Sequence, residues 1–146
     1  MEKSIFKQYI KPVYQALLII ALYGLILLVL KFLDLLENRQ LVDKYCWLFG
    51  TALLLFYIII NSVFSFTAAD KMTYFRNSIF TYVACLVVIV GLNTLISGKV
   101  VYEVETYSWI LLVFSLVYIV FITIINLLRK IVEMAINQNK KIEDEN

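Results

Sequence analysis

The chain has 146 residues, of which 62% are hydrophobic and only 16% charged, with a mean hydropathy of +0.86. A soluble domain runs at about 45–50% apolar and about 25% charged, and a chain this short cannot hide so much apolar surface from water, so lipid is the solvent it calls for. The net charge of +2 is too small to argue for direct nucleic acid binding, and the lack of any histidine removes imidazole proton relays, His-ligated haem or zinc, and Ser-His catalysis.

The N-terminal stretch 1–11 is polar and basic. The apolar run after it is too long for the h-region of a signal peptide, and no small-residue cleavage site follows, so it is expected to remain as a first membrane span. No lipoprotein or prenylation motif is expected either. A helix needs about 20 apolar residues to cross a bilayer core. Four runs meet that length: residues 13–30, 45–67, 78–97 and 107–128. They are long, continuous and not alternating, which favours helices over strands.

Pro12 stands where its missing N–H does no harm to the first helix. Lys31 and Asp34 follow that span at i and i+3 and are expected to pair at the interface if the helix runs on. Tyr14, Tyr45, Trp47, Tyr107 and Trp109 fall at span ends, where an amphipathic ring sits best. Tyr23, Tyr57 and Tyr118 lie mid-span. Such tyrosines line a pore or, more commonly, pack between helices and bond a neighbouring carbonyl.

Orientation follows from lysine and arginine. Lys3, Lys7, Lys11, Lys71, Arg76, Arg129, Lys130, Lys140 and Lys141 lie on one side, against Lys31, Arg39, Lys44 and Lys99 on the other. The positive-inside bias puts both termini in the cytoplasm. The short connections 31–44, 68–77 and 98–106 make sequential spans antiparallel neighbours. The expected fold is therefore all-α: a single membrane domain with four transmembrane helices in an antiparallel bundle, both ends inside. It suits a multi-pass protein of a bacterial inner membrane.

The fourth helix is expected to continue as a cytoplasmic tail over residues 129–146, since no Pro or Gly interrupts it before Lys141. Leu128, Ile131, Ala135, Gln138 and Ile142 follow coiled-coil-like 3-4 spacing. Ile131, Ala135, Gln138 and Ile142 are thus candidates for docking a cytoplasmic protein. The plainer reading is a solvated helix that frays, because short helices are marginal alone.

Chemistry inside the spans is sparse. Every Asp, Glu, Lys and Arg lies at a span end or in a loop, which argues against proton-coupled transport. Uncharged polar residues gather in the cytoplasmic half: Asn61, Ser62, Ser65, Thr123 and Asn126, with Gln15 and Ser78 nearby. They form either a pocket open to the cytoplasm or interhelical hydrogen bonds, the ordinary glue of membrane bundles. Gly24, Gly50 and Gly91 never pair as GxxxG. Both cysteines are expected to be inert: Cys46 sits at the outer end of its span, open to oxidation or cross-linking only if exposed, and Cys85 behaves as a small hydrophobe. No cofactor, metal cluster or catalytic constellation is expected. Lys71 and Arg76 are candidates for a phospholipid headgroup contact.

The stretch Phe66-Thr67-Ala68-Ala69-Asp70-Lys71-Met72-Thr73-Tyr74-Phe75-Arg76 resembles the PFT-x-E-N-x-x-x-L-R segment of domain-of-unknown-function family 2975, with Ser65 in place of the proline. Ile142-Glu143-Asp144-Glu145-Asn146 resembles the start of that family's polar tail. The resemblance implies a cytoplasmic-membrane protein of unestablished activity. Its neighbours often encode a small helix-turn-helix regulator, which implies a cytoplasmic regulatory partner. The expected function is thus a non-enzymatic regulatory or assembly subunit working through such a partner. The alternative is a small homo-oligomeric transporter, flippase or pore using the inner polar cluster. An immunity protein against a toxin fits by size and topology alone.

Overall fold

The computed structural model describes residues 11–37, 40–68 and 71–145, with Lys71 described by its backbone alone. Lys3, Lys7, Arg39, Asp70 and the Lys71 side chain, used above for orientation or headgroup contact, lie outside the described residues. The described chain holds four helices: α1 (Pro12–Glu37), α2 (Leu41–Thr67), α3 (Lys71–Ser97) and α4 (Glu105–Asp144). Each is long and apolar enough to cross a membrane. The helices overrun the apolar runs, so most of the connections expected at 31–44 and 68–77 are helical. Apolar run length reports the bilayer core, whereas a helix ends where its backbone groups find other partners.

The first turn of α1 closes on the Lys11 carbonyl, which accepts from the Tyr14 amide at 3.0 Å. Pro12 occupies that turn, where its missing N–H costs no helical bond. The α1–α2 connection is sealed differently from the expected Lys31–Asp34 pair. Asp34 instead accepts from the first two amides of α2, Leu41 N at 2.5 Å and Val42 N at 2.9 Å. A carboxylate there satisfies amides left open at the helix start and meets the positive end of its dipole. Gln40, just before α2, sits in the left-handed region at φ 52°. At the other end of α3, Gly98 adopts φ 67° and its amide bonds the Thr94 carbonyl at 3.0 Å, the usual glycine-terminated helix end.

Packing is centred on α2, which touches the other three helices, while α4 meets α3 only lightly. The inward stripe of α1 is Gln15, Ala16, Ile19, Tyr23, Leu27 and Leu30, at helical spacing. By contrast α4 buries only Leu111, Tyr118 and Ile122. Tyr107 and Phe114 pack partly on the core, and most other apolar side chains of α4 are exposed, which is ordinary for a lipid-facing helix and would be ruinous in water. At Gly50 the side chains of α3 press against the α2 backbone: a Cβ there would lie 2.7 Å from Asn93 Nδ2 and 2.8 Å from Ile89 Cγ2, so a larger residue has to displace them.

Candidate functional site

The interior polar groups form two separated nodes with an aromatic layer between them. The first node lies at the end where α1 begins and is built on Asn61, which is fully buried. Asn61 Nδ2 donates to Gln15 Oε1 at 3.0 Å and to the Tyr74 hydroxyl at 3.3 Å. Asn61 Oδ1 accepts from the Tyr118 hydroxyl at 2.9 Å. Gln15 Nε2 in turn donates to the Tyr74 hydroxyl at 3.2 Å. Both amide hydrogens and the amide oxygen of Asn61 are therefore engaged, and each of the four helices supplies one member. Such a network holds the helices in one arrangement and commits both amide hydrogens of its central residue to protein partners, leaving one lone pair on the amide oxygen.

One step deeper, Tyr57, Tyr82 and Tyr118 pack their rings together, with Tyr82 and Tyr118 centroids 4.5 Å apart. Tyr57 donates to the Ser78 carbonyl at 3.4 Å. The Ser115 hydroxyl is already committed to the Leu111 carbonyl at 2.8 Å, so the 3.0 Å contact with Tyr82 has the tyrosine as donor. The mid-span tyrosines thus pack between helices and bond neighbours; none lines an open channel.

The second node is at the opposite end. The Tyr23 hydroxyl donates to Asn93 Oδ1, with the Cys46 carbonyl 3.3 Å away as a second acceptor. Trp47 Nε1 donates to Ser97 Oγ at 3.1 Å and its ring stacks on Tyr107. The Tyr23 and Asn93 pair ties α1 to α3 beside Gly50 of α2. Cys46, expected at the outer end of its span, is completely buried under this node, as Cys85 is in the core.

The candidate polar cluster is divided by this geometry. Asn61 is the hub. Ser65 is buried, and its carbonyl accepts from Arg129 Nη1 at 3.2 Å. Ser62 Oγ is buried without a partner among the described residues and borders an apolar groove between α2 and α4. Thr123 is exposed and bonds the Ile119 carbonyl of its own helix at 2.7 Å. Asn126 is half-buried. Thr123 and Asn126 line a different groove, between α3 and α4, with Met72, Phe75, Lys130 and Glu133. The two residues lie further along α4 than Tyr118, which meets Asn61, and on another face, since α4 turns only Leu111, Tyr118 and Ile122 fully inward.

Arg129 gives the site its one internal cation contact with α2. Its guanidinium reaches a carbonyl of the last turn of α2, where a positive charge meets the negative end of the helix dipole, and Glu133 lies 3.8 Å from its Nε. Past that anchor the chain leaves the bundle. Every described residue from Lys130 onward is exposed, including Ile131, Ala135, Gln138 and Ile142. Arg76 is also exposed, on the second turn of α3. Sequence reasoning missed Asn93, Asp34 and Tyr74 as structural partners. A lone amide inside an apolar run is the signal that marks Asn93. The chain has no match among protein-family models, curated proteins or solved structures.

Proposed function

We propose that this chain is a non-enzymatic membrane subunit, regulatory or for assembly, whose working element is the part of α4 beyond Arg129. In this reading the helices form an antiparallel bundle in a bacterial inner membrane, with both termini and the α4 extension in the cytoplasm, as the lysine and arginine distribution favours. The observation that carries the proposal is α4 itself. It runs 40 residues without a break, and every described residue after Arg129 is exposed, with Lys130 and Glu133 still bordering the α3–α4 groove. Fifteen helical residues at about 1.5 Å each project about 22 Å, well beyond the bilayer core. Such a helix is marginal in isolation and is worth keeping only with something to bind. The Asn61 node supports the same reading, because its amide is spent on ties between the four helices. The likeness of the Phe66–Arg76 stretch to family 2975 points to a cytoplasmic regulatory partner as well.

Truncation after Lys130 tests the proposal in the native host. The shortened chain is expected to insert at normal levels and to fail to complement deletion of the gene. Full complementation by the truncated chain would overturn the proposal. A second reading, a small oligomeric transporter or flippase, draws on one observation: Thr123 and Asn126 line the α3–α4 groove with Lys130 and Glu133. Asn126→Leu would then stop flux with assembly intact.

A further inference from the structure

We infer that the extension and the lipid-facing edge of α4 form one continuous seam that pairs with the same seam of a second copy of this chain. The inference rests on the reading of α4 as the working element and names its first partner. Val117, Phe121, Ile124, Leu128, Ile131, Ala135, Gln138 and Ile142 follow 4-3-4-3-4-3-4 spacing along α4, which keeps them on one face for nearly four heptads. All eight are exposed: Val117 at 37% is the least exposed of the large apolar ones and Ile142 at 58% the most. The seam therefore begins inside the membrane, beside the α2–α4 groove that Val117 and Phe121 line, and crosses into the extension without a change of face. The sequence shows two heptads of this pattern past the membrane; the exposure of Val117, Phe121 and Ile124 shows that no helix of the same chain covers its upper part.

Three features select a second copy over an unlike partner. Two copies inserted in one membrane share a direction, so their α4 helices meet parallel and in register, each residue opposite its counterpart. The flanks of the seam carry no charge to repel a twin or to select an oppositely charged partner: Val120, Ile125, Leu127, Val132, Met134 and Asn139. Lys141 is the first charge there. The other charged residues of the helical extension (Arg129, Lys130, Glu133, Lys140, Glu143 and Asp144) take the outer positions, where a parallel pair leaves them in water, and Glu145, at the next seam position after Ile142, lies past the helix end at Asp144. Ala135 is small enough for close approach, and the Gln138 amide both donates and accepts, so it can bond its own copy and fix the register. The pair is a two-helix stalk, with Glu133, Asn137 and Lys140 facing outward for a cytoplasmic partner.

Single cysteines test this in native membranes with the full-length chain, oxidised by copper phenanthroline. The native Cys46 and Cys85 are fully buried and serve as a silent background. Disulfide-linked dimer is expected in high yield for Ile131→Cys, Ala135→Cys, Gln138→Cys and Ile142→Cys. Yields at Lys130→Cys, Glu133→Cys and Asn137→Cys are expected to be several-fold lower. Equal yields around the helix, no dimer at any seam position, or seam adducts only with a different protein would overturn the pairing. Periodic seam dimers alongside a truncated chain that still complements would uphold the pairing while removing the working-helix reading. A flat pattern alongside loss on truncation would do the reverse.

Discussion

Replacing Asn61 by Leu separates a structural tie from a ligand pocket. The substitution keeps the γ-branched shape and the number of heavy atoms and removes three bonds at once, to Gln15, Tyr74 and Tyr118. Interhelical hydrogen bonds in membrane bundles contribute about 0.6 kcal/mol each, which gives a loss of about 2 kcal/mol. Gln15 and Tyr74 keep each other at 3.2 Å, so the group most exposed to loss is the Tyr118 hydroxyl. If it finds no other acceptor, the loss rises to about 4 kcal/mol. Unfolding of the purified protein in mixed micelles, with rising SDS fraction and helix content as the readout, measures this directly. Tyr118→Phe should lose about 0.6 kcal/mol, and Thr123→Val, which breaks only a bond within α4, less than about 0.5 kcal/mol. An Asn61→Leu protein within about 0.5 kcal/mol of the parent would refute the idea that this node ties the four helices.

Other outcomes follow from the same structure. Gly50→Ala is expected to destabilise by about 1–3 kcal/mol, because its methyl meets Asn93 and Ile89, while Gly24→Ala and Gly91→Ala, with open space around them, should be neutral or stabilising in the same unfolding measurement. Asp34→Ala opens two amides at the start of α2 and should cost about 1–2 kcal/mol, with faster amide hydrogen exchange at Leu41 and Val42 as its local signature. Cys46 and Cys85 should resist maleimide labelling in mild detergent and label fully after denaturation; rapid labelling of Cys46 in the folded protein would contradict its burial.

Much of the fold could be read in advance because membrane helices announce themselves by length. The four apolar runs each became a helix, and the lack of Pro and Gly after Leu128 foretold the long α4. Helix ends were less legible. Polar residues such as Asp34 extend a helix as readily as they leave it, and the role of Asp34 as a cap depends on where α2 starts. The polar residues were recognised by type but not by partner. Span ends suggest one depth for Asn61 and Thr123, yet it is Tyr118, five residues earlier, that meets Asn61, and helical phase on α4 leaves Thr123 exposed. That phase is set by α4 packing almost wholly on α2, which no local pattern in α4 records. Cys46 looked superficial because it sits near a span end, but the second node covers it with Tyr23, Trp47 and Asn93.

The central claim is that α4 beyond Arg129 meets another protein in the cytoplasm. Photo-crosslinking amino acids placed at Glu133, Asn137 and Lys140 in cells test it most directly, with Leu25 and Val87 on the lipid-facing surface as controls. The account expects discrete adducts with a protein other than this chain at the three outer positions and none at the controls. Adducts at those positions limited to lipid or to the chain itself would contradict it.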